Sequence, residues 1–359
     1  MLCVIFRHKI SSINNGDKVK IIIYIRDYGH FLRAKEFKSS ILNNIDKYSC
    51  IILLNSSNKN YYNEIKKEFP NIIVLKNFIK IKDFMKFVLY AFDYLFYSNY
   101  KSFLKCVCIY HKNIYKNLKN DFSHLIFSEN VLFINFNDQP IDVTSIETNL
   151  KKLDIVNKSI VYQHGIIRLP EFYFPSKSDF FYGYGFHNTL REKFNRSNIY
   201  KTKLVEVGNL KYMKNYLPID INFDNNILLI PGPKIVDVFS LLKSIKDTSY
   251  SYSIKFHPGM KFKEIIKFFL PTTIKIADKI EFNKYSIIIT EVSTVGLEAL
   301  AEGKMVGVLD INNYKIPDYF ANETIPKIKR IDRHSIKSII EHYETHADDV
   351  TQILNRYFS

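Results

Sequence analysis

Short runs of β-branched and other apolar residues recur along this chain, spaced so that one helix fits between each pair. VKIIIYI (19–25), SCIILL (49–54), NIIVL (71–75), HLIFS (124–128) and SIVYQ (159–163) read as strands. They are continuously apolar rather than alternating, which fits parallel strands covered by helices on both faces. Segments such as FLRAKEFKSSILNNI (31–45) and YYNEIKKEF (61–69) supply the intervening helices. Further strands are expected at DFFYGYG (179–185) and LVEVGN (204–209).

A second series begins at NNILLIPGPK (225–234) and continues through a helix over 236–246, strand YSIKFHPG (252–259), a helix over 262–269 and strand TIKIA (273–277). Strand YSIIITE (285–291), helix TVGLEALAEG (294–303), strand MVGVLDI (305–311) and a last helix over about 335–357 complete it. The polar, proline-containing YLPIDINFDN (216–225) separates the two series. The expectation is an α/β protein of two doubly wound, Rossmann-like domains facing across a cleft, 1–217 and 218–359. The last helix is a candidate for packing back on the first domain.

Composition narrows the class. With 47% hydrophobic and 24% charged residues over 359 positions, the chain has material for two ordinary cores. The net charge of +15 comes with a lysine-rich, asparagine-rich surface vocabulary. It reads either as a solvated surface or as attraction to an anion such as a sugar nucleotide, a glycan or a membrane leaflet. The basic residues are scattered and no nucleic-acid module is present, so no nucleic-acid partner is expected. Cys3, Cys50, Cys106 and Cys108 form no CxxC pair and no secretory signal opens the chain, which points to a cytoplasmic location. Cys106 and Cys108, near His111, have no second half and read as a helix face, so no metal is expected. FMKFVLYAFDYLFYSNY (84–100) is broken by Lys86 and Asp93 and is too short to span a bilayer. It reads as a buried or interfacial helix; with the lysines and aromatics of 80–120 it also suits peripheral membrane contact, core packing being the preferred reading.

Four strand ends carry chemistry. In VYQHGIIR, Gly165 permits a sharp exit and His164 leaves the strand tip, where an imidazole suits a general base. In IKFHPG, Pro258 ends the strand directly after His257, which can donate to a phosphate, with Lys255 nearby. In TEVSTVGLEALAEGK, Ser293 or Thr294 caps a helix whose amino end suits a phosphate, with Gly296 in the first turn and Glu298 within reach of a ribose. In LLIPGPK, Gly232 lets a nucleotide approach and Lys234 meets its phosphate. Each has a bland counterpart: a hydrogen-bonded loop histidine, a strand-ending dipeptide, a favourable charge on a helix.

In this order, QHG, IPGPK, KFHPG and STVGLEALAEGK, the chain resembles the bacterial GT-B glycosyltransferases of capsule, lipopolysaccharide and teichoic-acid synthesis. These include the Kdo and sialic-acid capsule transferases and the CDP-glycerol glycerophosphotransferases. The resemblance covers roughly 155–312, with VGN (207–209) fitting it. It implies His257, Ser293 and Thr294 on the phosphate of a cytidine nucleotide and Glu298 on ribose. Where the capsule transferases carry a turn resembling Glu-Asp-Gly, this chain has Gln163 and His164. The teichoic-acid polymerases carry histidine-glycine there, which implies His164 as base and Arg168 beside a substrate carboxylate.

The leading expectation is a metal-independent, inverting transferase that moves an acidic sugar (sialic, pseudaminic or Kdo-like) from a CMP-sugar donor. The acceptor is an oligosaccharide or lipid-linked glycan, with candidate peripheral contact at the cytoplasmic face of the inner membrane. Leaving-group charge falls to Lys255, His257 and the helix dipole. The alternatives are a CDP-glycerol or CDP-polyol phosphotransferase, a UDP-sugar epimerase-like hydrolase and a non-catalytic nucleotide-binding module.

Overall fold

The computed structural model describes residues 19–41, 50–55, 61–75, 86, 88–93, 100–137, 141–163, 176–184, 188–197, 200–208, 217–232, 234–256, 260, 263–291, 293–311 and 325–358. The chain divides into two compact units. One takes the described residues of Met1–His164, Glu171–Gly183 and Glu192–Val205; the other takes those of Tyr184–Arg191 and Glu206–Ser359. The second unit therefore begins upstream of the 217/218 boundary expected from the linker composition.

The first unit is built on strands β1 (Val19–Ile25), β2 (Cys50–Asn55), β3 (Ile72–Leu75), β4 (Phe127–Asn135), β5 (Lys158–Tyr162), β6 (Phe180–Gly183) and β7 (Lys203–Glu206). Helices α1 (Tyr28–Ile41), α2 (Tyr62–Glu68), α3 (Tyr100–Phe122), α4 (Ile141–Lys152) and α5 (Asn188–Ser197) connect them. The sheet order is β3-β2-β1-β4-β5-β6-β7, and every pair with a described register is parallel. β1 shows why the apolar runs are continuous: six of its seven residues are buried, because helices cover both faces.

Two expectations fail here for physical reasons. The strand expected at 124–128 is β4, at Phe127–Asn135. Val19 pairs with Phe127 but Ile21 with Leu132, so exposed Glu129 and Asn130 form a polar excursion that hides the strand's apolar second half. In the 84–100 segment, Leu89, Phe92 and Tyr100 are exposed at 64%, 58% and 65%, which overturns core packing for these three side chains. Cys106 is buried and Cys108 exposed on α3, two residues apart and so on different helix faces. Among the described residues no three metal-ligating side chains gather, and no helix is long and apolar enough to cross a membrane.

A buried polar network fastens α4 to the sheet. Glu147, 4% exposed, accepts from the hydroxyls of Ser159 at 2.6 Å and Ser178 at 3.0 Å. The Lys151 ammonium lies 3.1 Å from both Glu147 and Asp179, and the Ser159 N–H donates to Asp179 at 2.7 Å. Burial opposes the Asp179 charge, but the Ser159 N–H and Lys151 outweigh it and hold the carboxyl below its ordinary value. With the folded pKa depressed, the stabilisation is complete above the unfolded value of about 3.9 and is lost as pH falls through the folded one. Asp179→Asn is expected to flatten the acid limb of a stability-versus-pH curve below pH ~4. An unchanged limb would remove Asp179 from the network's energetics.

The second unit carries β8 (Asn226–Ile230), β9 (Ser251–Ile254), β10 (Ile274–Ile276), β11 (Ile287–Thr290), β12 (Met305–Leu309) and β13 (Lys327–Ile328). Its helices are α6 (Ile235–Ser244), α7 (Lys263–Phe268), α8 (Thr294–Ala301) and α9 (Arg333–Phe358). The order is β10-β9-β8-β11-β12-β13, again parallel throughout. α8 ends in a Schellman turn: Lys304 N–H meets the Ala299 carbonyl at 2.9 Å and Gly303 N–H meets Leu300 at 3.0 Å, with Gly303 at φ +71°. Leu217 and Asp220 donate to the carbonyls of Ala301 and Gly303, both at 2.8 Å, so the polar segment after 216 is tied to this unit. In α9, buried Tyr343 donates to the Val306 carbonyl at 3.0 Å and accepts the Val306 N–H at 3.1 Å, completing hydrogen bonds that the short β13 does not reach.

Candidate functional site

In the second unit the strand order reverses between β8 and β11, the place where open parallel sheets take ligands beyond their carboxyl ends. The loops leaving both strands and the start of α8 meet there. Ser293 has extended backbone (φ −102°, ψ 143°), and its Oγ accepts the Val295 N–H at 3.2 Å. The Ser293 carbonyl takes the Gly296 N–H at 3.0 Å, and its own N–H donates to Thr290 Oγ1 at 3.3 Å. Ser293 is thus the N-cap of the two residues considered, and Thr294 is the first helical residue, whose amide has no carbonyl four residues back within the helix. The positive end of the α8 dipole lies at this point. Glu298 is half-buried farther along the same helix.

The loop after β8 is organised by two carboxylates the sequence reading did not single out. Gly232 N–H donates to Glu291 Oε2 at 3.2 Å, and Lys234 N–H donates to Asp237 Oδ2 at 2.9 Å. Asp237 N–H returns a bond to the Lys234 carbonyl at 3.1 Å. Asp237 and Glu291 are 0% and 1% exposed. A Cβ at Gly232 would lie 2.3 Å from Asp237 Oδ2 and 2.8 Å from Glu291 Oε2. The glycine therefore makes room for the protein's own acids, and these two loop amides point inward. Lys234 itself is exposed at the start of α6. The Lys255 ammonium donates to the Asp278 carbonyl beyond β10, an internal acceptor in competition with the phosphate expected of it.

His164, Gly165, Arg168, His257 and Pro258 lie outside the described residues. Their flanks are described. Gln163 is fully buried, and its N–H donates to the Tyr182 carbonyl at 2.8 Å, one residue beyond β5. This bond fixes the end of β5 at the residue before His164 in sequence. Phe256 and Met260, either side of His257–Gly259, are 7% and 5% exposed.

In the first unit the order reverses between β1 and β4. Asp142 on α4 accepts from the Tyr24 phenol at 2.7 Å and lies 3.3 Å from Arg26 Nε, binding the end of β1 to the start of that helix. Burial and the Asp142 charge raise the Tyr24 phenol far above its ordinary value. Asn135, fully buried at the end of β4, donates to Ser178 at 3.4 Å, and no donor among the described residues reaches its Oδ1. Nothing in the local sequence marks Asp142 or Asn135, because their partners are distant in the chain.

Two doubly wound parallel sheets of these orders define the GT-B type of fold, two Rossmann-like domains. No family model matches the chain, and no curated protein matches it in sequence. Solved structures match along almost all of it. The UDP-GlcNAc 2-epimerase of Neisseria meningitidis, solved bound to UDP-GlcNAc, is similar at TM-score 0.54 and 12% identity, over 94% of each chain. A Listeria monocytogenes protein described as a UDP-N-acetylglucosamine 2-epimerase reaches 0.55 at 12% identity, over 95% of this chain and 92% of that one. A glycosyltransferase from Rickettsia africae reaches 0.51 at 15% identity, over 95% and 94%. Likeness at these identities is a likeness of fold.

Proposed function

We propose that the protein is a GT-B glycosyltransferase that moves an acidic nonulosonic-type sugar (sialic, pseudaminic or Kdo-like) from a CMP-sugar to a hydroxyl of a bacterial surface glycan. The observation that carries the reading is the Ser293-capped start of α8 at the strand-order reversal of the second sheet. A helix amino end in that position takes an anion of phosphate size. His164 removes the acceptor proton as the acceptor oxygen attacks the anomeric carbon, and the bond from that carbon to the CMP phosphate oxygen breaks. Arg168 meets the substrate carboxylate. The charge on departing CMP falls to the α8 start, Ser293, Thr294 and His257, with Lys234 and Lys255 adding positive potential, and Glu298 takes the ribose.

A UDP-sugar epimerase-like hydrolase is the second reading, favoured by the fold likeness to two proteins described as UDP-GlcNAc 2-epimerases. A CDP-polyol phosphotransferase would use His164 on a different electrophile. Thermal unfolding with each nucleotide separates these. CMP at 100 times its Kd is expected to add about 2.7 kcal/mol to stability, a rise of several degrees, with no rise from UDP. Incubation with CMP-sugars is then expected to release CMP. Stabilisation by UDP alone transfers the assignment to UDP-sugar chemistry, and turnover of CDP-glycerol alone transfers it to the phosphotransferase.

A further inference from the structure

The chain after β8 reads Pro231-Gly232-Pro233, and proline has no N–H and a fixed φ. Gly232 therefore carries the only N–H of the three residues, and its freer dihedrals steer the chain towards Lys234 and α6. That single donor goes to Glu291 Oε2, 3.2 Å away and 59 residues on in sequence. Glu291 bonds the end of β8 a second time, because its own N–H donates to the Ile230 carbonyl at 3.4 Å. It directly follows β11 and precedes the Ser293 cap by two residues. One residue thus ties the β8 loop to the approach to α8, across the strand-order reversal. A carboxylate that is 1% exposed needs hydrogen bonds, and the Gly232 N–H supplies one. Asp237 closes from α6: a Cβ on Gly232 would meet both acids, and Asp237 Oδ2 accepts the Lys234 N–H at 2.9 Å. The segment that carries the Lys234 side chain is held at both ends by buried acids.

We propose that Glu291 is a positioning residue for nucleotide binding. It acts through Gly232, fixing where the β8 loop and Lys234 stand relative to the Ser293 cap. The proposal rests on the nucleotide reading given above and adds the group that sets affinity. What the arrangement asks of position 291 is an acceptor at a fixed reach. Glutamine supplies that acceptor on a side chain of the same length, whereas leucine fills the space without one.

The test compares full-length wild type with Glu291→Gln and Glu291→Leu, and uses Glu291→Ala as the non-accepting variant should leucine not fold. Amide hydrogen exchange without nucleotide reads the loop directly, since the two prolines leave Gly232 as the sole exchanging position among the three. Exchange at Gly232 is expected to quicken roughly tenfold or more in Glu291→Leu and to stay near wild type in Glu291→Gln. The Kd for CMP is expected to rise about tenfold in Glu291→Leu, the scale of leaving one buried N–H without an acceptor, and glutamine is expected to restore it. With a CMP-sugar, KM rises in step while kcat stays within about threefold, because the loss is of uniform binding. Unchanged exchange in Glu291→Leu overturns the proposal. So does quickened exchange with unchanged affinity, or a glutamine variant that restores neither. Where UDP binds the wild type and CMP does not, the donor assignment fails, and the same two measurements made with UDP still decide the role of Glu291. Binding of neither nucleotide overturns both.

Discussion

Replacing Gly303 by alanine is expected to lower the thermal unfolding midpoint by roughly 6–12 °C, corresponding to about 3 kcal/mol. Two effects act together. Gly303 sits at φ +71°, where a side chain costs about 1–2 kcal/mol. A Cβ there would also stand 2.4 Å from the Pro218 carbonyl oxygen, a backbone atom that cannot rotate aside. The displaced segment includes Leu217 and Asp220, whose N–H groups are bonded to the end of α8, so the loss spreads to the anchoring of the chain between the sheets' sequences. Gly303→Asn separates the terms, since asparagine tolerates the left-handed region but brings the same Cβ. A midpoint within ~2 °C of wild type for alanine would show that Pro218 yields without cost.

His164→Ala is expected to reduce kcat by about 10²–10⁴, the range for a lost general base, while the CMP-induced rise in unfolding temperature persists. The proposed division of labour requires this split, with base and nucleotide grip on separate units of the chain. Gln163 makes the variant interpretable: buried and bonded to Tyr182, it keeps the strand end in place when the next side chain is removed. A rate within tenfold of wild type would remove His164 from the chemistry and move the search for a base elsewhere.

Central strands were legible because burial on both faces leaves an uninterrupted apolar signature. VKIIIYI is β1 residue for residue, and MVGVL stands at the start of its expected run. What escaped was structure whose logic is not local. β4 begins in a polar excursion tolerated only because β1 is paired beside it. Helices α3, α4 and α5 were not separately delimited; α4 buries Val143, Ile146 and Leu150 but also Glu147 and Asn149, which meet Ser159 and the His111 carbonyl, so polar residues interrupt its apolar face. At the candidate site, the Ser293 cap was legible from a hydroxyl preceding an apolar run, a short-range rule. The Glu291 bond to Gly232 spans 59 residues and inverts the reason for the glycine, which no window of sequence displays.

The phenol of Tyr343 has a consequence for how the molecule is made. β12 borrows its missing hydrogen bonds from the final helix, and Gly307 in the same strand leaves the space that Ile339 fills, a Cβ there falling 2.6 Å from Ile339 Cδ1. During synthesis Val306 can gain these two hydrogen bonds only once Tyr343 has been added. The second sheet therefore completes its bonding after the first, whose strands all precede residue 207.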